Sequence, residues 1–310
     1  MHKIVDNSII RVYNAIVILR SEHQRKTLKI IRSKKEKKKM KKILSLILTA
    51  LLAVGCCIGL TACGSKKEYV ATAIVGVEVE EFGFAIGKTA SKKTEILAAM
   101  NEVIAETDIA KAVSYFTALY KEETPTVSIE EPNLDDNTAG TLKVYTESGF
   151  APYEFVDDNN NVIGVDMYLM ALVCEKLNMK LEITDMLFDG ICGKVATEDN
   201  AIGAAGITIN DERKETLDFS NPYFSSVQCI ISAKDQAFDS LAALAGKKIG
   251  VQKGTTGAFM VEEAINEGVL KDTGASMVEY DSGPVAFAAL KTNKIDFIVL
   301  DKLPAQSLVG

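Results

Sequence analysis

Both histidines, His2 and His23, lie in the first 39 of 310 residues, so the rest of the chain has no imidazole to offer. A Ser-His nucleophile, a Cys-His pair and a histidine-rich metal site are all excluded from the body of the protein. Cys56, Cys57 and Cys63 sit in or at the end of one apolar stretch, and Cys174, Cys192 and Cys229 are scattered without C-x-x-C spacing. The latter three read as small buried apolar side chains rather than disulfide or metal ligands. No cofactor or metal is therefore expected, and the remaining chemistry is that of charges, hydroxyls and backbone amides. The loop Gln252-Lys253-Gly254-Thr255-Thr256-Gly257 stands between an expected strand and an expected helix. Backbone N–H groups at such a junction favour an anion. Thr255 and Thr256 also suit an ordinary threonine N-cap, which is compatible with that role.

The charge is divided unevenly. Residues 1–63 hold 14 of the 35 basic residues and only Asp6, Glu22 and Glu36 among the acids, which leaves 21 basic and 39 acidic residues beyond Cys63. So acidic a body repels nucleic acid and suits a secreted domain. From Met40 two lysines precede an apolar run ending in small residues, the pattern of an export signal over 40–62. Leu60-Thr61-Ala62-Cys63 resembles the bacterial lipobox, which implies acylation of Cys63, such as with palmitate, and a lipid-anchored tether over 63–68. The run from Ile43 to Ala62 is also just long enough for a plain transmembrane anchor. Lys35-Glu36 can be encoded by AAGGAG, a ribosome-binding sequence a few codons before Met40. Residues 1–39 therefore read as translated upstream sequence, with a solvated basic arm as the alternative.

The body alternates between two periodicities. Tyr69 to Lys88 is extended and rich in Val, Ile and Phe, and helical patterns follow over 94–105 and 109–120. Residues 121–140, with Pro125, Pro132, many acids and no core-like period, form a linker. Beyond it come a strand at 142–146, a helix at 167–177, and strands at 181–185 and 201–208. An extended run at 227–232 leads to a strand at 248–251, a helix at 258–267, a strand at 276–280, a helix at 284–291 and a strand at 296–300. Such alternation implies an α/β fold with mostly parallel sheets flanked by helices. Two units meeting near residues 225–232 predict two lobes, 141–226 and 227–310, with a cleft between them.

Six motifs in order make a specific resemblance: ESGFAPYEF, VIGVDMYLM, FDG, GITINDERKETLDFSNPYF, LAGKKIGVQKGTTG and IDFIVLDKLPA. Over residues 141–310 the chain resembles the bacterial extracellular solute-binding proteins of family 3, amino-acid-binding components of ABC importers with a two-lobed, type II periplasmic-binding fold. The resemblance implies that Arg213, five residues after Thr208, pairs with a ligand carboxylate. A planar guanidinium can meet both carboxylate oxygens at once, which lysine cannot. A surface arginine in the charged run Asp211–Glu215 is the alternative. Thr208 and the backbone at Gly206 would stand beside Arg213, Thr255 and Thr256 would face the same carboxylate from the second lobe, and Asp301 would hold the ammonium. Phe150 and Phe188 match positions whose rings cover the ligand, with core packing as the alternative for each. Glu147 and Gln252 match the side-chain pocket, and their polarity points to a polar or cationic amino acid. Asp166 and Asp218 match structural turns.

One departure concerns order. Family members return to the first lobe after a motif like VLDKLPAQSLVG and end in helices, and here residues 69–120 resemble that ending of lobe 1, placed in front. A circular permutation and a fragment of a tandem array both account for this. The implied function is capture of a free amino acid outside the membrane, by a monomer, for delivery to an ABC transporter permease, without catalysis. The alternatives are an enzyme on the same fold resembling cyclohexadienyl dehydratases, for which Glu147 is the one obvious general acid, and a truncated or non-binding copy. N-terminal sequencing of the precursor should begin at Met40, and a precursor beginning at Met1 would refute the upstream-sequence reading.

Overall fold

The computed structural model describes residues 67–310 except Asp136. The expected extension, export signal and Cys63 lie outside the described residues.

Two five-stranded sheets organise the body. In the first, the order is Leu217–Phe219, Ala85–Gly87, Ala201–Gly203, Thr141–Thr146, Lys180–Asp185. In the second it is Tyr69–Ala73, Gln228–Ala233, Phe297–Asp301, Lys248–Gln252, Ser276–Tyr280. Strands linked by helical crossovers are parallel, as with Thr141–Thr146 beside Lys180–Asp185 and Lys248–Gln252 beside Ser276–Tyr280. Phe297–Asp301, reached through the helix Gly283–Lys291, is likewise parallel to Lys248–Gln252, whereas Gln228–Ala233 runs antiparallel to both its neighbours, Tyr69–Ala73 and Phe297–Asp301. Each sheet is therefore mixed, where the sequence suggested mostly parallel pairing, because only a βαβ connection imposes the parallel sense.

The front segment is also divided differently from the expected assignment to lobe 1. Tyr69–Ala73 is an edge strand of the second sheet, Glu80–Phe82 pairs with Phe224–Ser226 between the sheets, and only Ala85–Gly87 enters the first sheet. Its two helices, Lys93–Glu106 and Ile109–Tyr120, then cover the helix Val165–Lys176. That helix buries residues all round, from Val165 through Ala171 and on to Val173 and Cys174, so it needs a cover on more than one face. Ile96, Met100, Val103, Ala112 and Phe116 supply it. Cys174 and Cys229 are buried and Cys192 half-buried, all three as free thiols.

The described residues of 121–140 form no helix or strand, yet they are anchored to the body. Asn137 is buried, and its Nδ2 donates to the carbonyls of Met179 at 2.8 Å and Cys174 at 3.3 Å. The Asn133 N–H donates to Glu175 at 3.1 Å and the Ala139 N–H to the Asn178 carbonyl at 2.7 Å. An anchor of this kind has no apolar period and so leaves no trace in a hydrophobic pattern. Replacing Asn137 with Ala should lower the unfolding free energy by about 1–3 kcal/mol in urea titration, since both carbonyls lose a buried donor. An unchanged midpoint would mean that the two Asn137 bonds add nothing to stability.

Candidate functional site

Arg213 sits on the short helix Asp211–Lys214, whose N-cap Asn210 accepts from the Arg213 N–H at 2.8 Å. The cap orients the helix so that Asp211, Glu212 and Lys214 face water while Arg213 turns inward to 8% exposure. Burial of this degree rules out the surface-arginine alternative. Its Nη1 donates to the Thr208 carbonyl at 2.8 Å and its Nη2 to the Gly254 carbonyl at 3.2 Å, so one guanidinium touches both lobes. The Phe188 ring centre lies 5.5 Å from the guanidinium carbon, close enough for a cation–π contact.

Gly206 and Thr208 lie in the loop after Ala201–Gly203. The sequence suggested a strand through Thr208, but the strand stops at Gly203 and Gly206 has φ +54°. A Cβ at Gly206 would stand 2.5 Å from Phe150 Cε1, so only glycine lets the loop and that ring lie together. The Gly206 N–H donates to Asp166 at 3.0 Å, and Tyr223 donates to the same carboxylate at 2.7 Å. Asp166 is thereby the support of the loop. Asp218, by contrast, pairs with Lys93 at the surface, 2.6 Å away. Phe150 stacks on Tyr153 and tilts against Phe82, so it is both core and wall of the cleft.

From the second lobe, Thr255 caps the helix Thr256–Asn266 by accepting from the Ala258 N–H at 3.2 Å. Its hydroxyl also donates to the Gln252 carbonyl at 2.7 Å, so the side chain serves the loop itself. Thr256 reaches across and donates to the Thr208 hydroxyl at 3.0 Å. Gln252 Nε2 donates to Glu147 at 2.8 Å, again between lobes, and the Gly149 N–H holds the other Glu147 oxygen at 3.1 Å. Lys253 and Asp189 form a further bridge at 2.7 Å. Asp301, 5% exposed, accepts from Ser226 at 2.8 Å and from Gln228 Nε2 at 3.0 Å. The ten residues singled out from sequence thus gather along one cleft. Glu80 and Gln228, both buried there, were not among them. Glu80 accepts from Thr208 at 2.6 Å and from Gln228 at 2.8 Å.

Burial dominates the electrostatics. It pushes the Glu147 carboxyl up to about 7 against the hydrogen bonds from Gln252 and Gly149, with the Asp185 charge adding to it. Burial and then the neighbouring Glu80 charge raise Asp301 to about 7, while Ser226, Gln228 and Arg213 oppose them. Asp166 rises to about 6 for the same reason, despite bonds from Gly206 and Tyr223.

Comparison with known proteins adds an independent finding. The bacterial extracellular solute-binding proteins, family 3, match residues 142–275. An L-cystine-binding protein of Escherichia coli strain K12 is 29% identical over 172 residues, or 55% of this chain and 62% of that protein. The chain thus spans about three fifths of this relative's length. Among solved structures, an ancestral arginine-binding protein bound to arginine is 36% identical with a TM-score of 0.50, covering 56% of this chain and 74% of that one. The arginine-bound form of truncated ArgBP from T. maritima gives 36% and 0.50, with 55% and 77% covered.

The raised carboxyls carry a signature of their own. Glu147, Asp166 and Asp301 hold their protons more tightly folded than their ordinary values of 4.5 and 3.8 imply, so the folded chain binds more protons between those values and about 7. Their contribution is fully present below about pH 4 and is lost as the pH climbs through 6 and 7. The melting temperature should therefore fall between pH 5 and 7.5, and Glu147→Gln should make that fall shallower. A flat profile for both proteins would refute the burial of these acids.

Proposed function

Since the chain belongs to the bacterial extracellular solute-binding proteins, family 3, we propose that it captures a free amino acid outside the cytoplasmic membrane and passes it to the permease of an ABC importer. The observation that carries this reading is the buried Arg213, held between the Thr208 carbonyl of one lobe and the Gly254 carbonyl of the other. A guanidinium with N–H groups to spare there takes an α-carboxylate, and the buried Asp301 takes the α-ammonium. Thr208, Thr256 and the N–H groups opening the helix Thr256–Asn266 complete the carboxylate side. Phe150 and Phe188 form the apolar walls.

Glu147 and Gln252 line the side-chain end and favour a polar or cationic amino acid. A cationic side chain would keep Glu147 ionised against its burial, and the arginine bound to the similar solved structures fits that preference. The ligand would be gripped from both lobes, so binding favours the closed form. The reading includes a lipid anchor at Cys63 that keeps a monomer at the outer face of the membrane, and binding without turnover.

Thermal unfolding in the presence of each of the twenty amino acids tests this directly, because a ligand at about a hundredfold its Kd stabilises the folded state by ~2.7 kcal/mol. One or a few polar or cationic amino acids should raise the midpoint, and Arg213→Ala should weaken their binding by about 2–5 kcal/mol, roughly 30-fold or more. No shift with any amino acid, or turnover of prephenate, would reject the reading in favour of a silent copy or a dehydratase.

A further inference from the structure

Glu80 comes from the front segment, on the strand that joins the lobes, and its neighbours are unusual for a buried acid. No lysine meets it. Its Oε2 accepts from the Thr208 hydroxyl at 2.6 Å and its Oε1 from Gln228 Nε2 at 2.8 Å. That same amide nitrogen donates to Asp301 Oδ2 at 3.0 Å. Two carboxylates therefore share one amide group, and their oxygens lie no farther apart than those two bonds together reach. Both are almost out of water, Glu80 at 7% and Asp301 at 5% exposure. The Glu80 charge is the leading electrostatic influence on Asp301 after burial itself, and both acids act on Arg213. The cleft thus sets two adjacent buried carboxyl groups beside one buried cation.

Buried like charges at such spacing are costly unless a cation joins them. A neutral amide satisfies hydrogen bonds on each side without supplying a charge. Arg213 supplies one, but in the reading above it is the partner of the ligand carboxylate. An ammonium has three N–H donors and a full charge, so it matches two adjacent carboxylates better than one. Resting on that reading, we propose that Glu80 is a second carboxylate of the ammonium pocket, so that the α-ammonium of the ligand lies between Asp301 and Glu80. The bond from Thr208 then keeps Glu80 in place, and Thr208 itself stands at the carboxylate pocket. One side chain from the hinge lies against both ends of the amino-acid head group.

The test separates the ammonium from everything else in the ligand. Calorimetry on the full chain compares the amino acid that gives the largest thermal shift with the same molecule lacking its α-ammonium: L-arginine against 5-guanidinopentanoate, or L-histidine against 3-(imidazol-4-yl)propanoate. Glu80→Gln keeps the shape and one acceptor but removes the charge. It should weaken the amino acid at least tenfold while leaving the deamino analogue within about twofold of wild type. Equal losses for both ligands would make Glu80 a structural residue and overturn the inference, as would no loss for either. Should Glu80→Gln fail to unfold cooperatively, Glu80→Asp draws the charge back by one methylene and supports the same comparison. Wild-type protein that binds no amino acid overturns the functional reading and this inference together, whereas a wild type that binds and an unselective variant overturn the inference alone.

Discussion

A guanidinium cannot be taken out of water without partners to replace the lost hydration, and the cleft is arranged around that requirement at Arg213. The Asn210 cap turns the side chain inward, and the carbonyls of Thr208 and Gly254 then receive its N–H groups. Phe188 covers it with the face of an aromatic ring. The position of the Thr208 carbonyl depends in turn on the turn at Gly206, which Asp166 and Tyr223 fasten from behind. Because Gly254 belongs to the other lobe, the same cation ties the two halves of the cleft together. Remove the charge, and the carbonyls, the loop and the lobe contact lose their common partner.

Around it the polar groups form a chain. Thr256 donates to Thr208, Thr208 to Glu80, and Gln228 to both Glu80 and Asp301, which also receives Ser226. Such networks are stronger in a low dielectric than in water, and they are also less forgiving of a missing member. The chain runs from the second lobe to the first and back, and its central links come from the strands between the sheets. The polar network and the strand pairing between the sheets therefore share residues, Glu80 and Ser226 among them.

How much of this could be read beforehand differs by element. Helices with a clear apolar face were legible to within a residue or two: Ile109–Tyr120 has its expected limits, and Thr256–Asn266 begins two residues early. The strand expected through Thr208 ended at Gly203, because a run of small residues suits a tight loop as well as a strand. Family membership was legible from ordered motifs, and Arg213, Thr208 and Asp301 could be placed in one cleft on that basis. Glu80 was not, since it lies 128 residues from Thr208 and 148 from Gln228 along the chain and belongs to the segment ahead of the six motifs. Gln228 was hidden by its setting in an apolar extended run, where only the fold shows that its amide has two carboxylates to serve. Anchoring of the linker by Asn137 depends on one side chain meeting two carbonyls, a geometry no periodicity reports.

The ribbon between the lobes pairs Phe82 with Phe224, Glu81 with Ser225 and Glu80 with Ser226. Its strands come from distant parts of the chain, and they run side by side in opposite directions. A ribbon of this kind bends across its width at small cost, whereas sliding one strand along the other would break every rung at once and turn each side chain to the wrong face. The connection thus behaves as a flexure with one soft direction and one stiff one. Any motion that leaves the ladder intact preserves this alignment, so the spacing of the positive and negative poles of the cleft is tied to three rungs of backbone pairing.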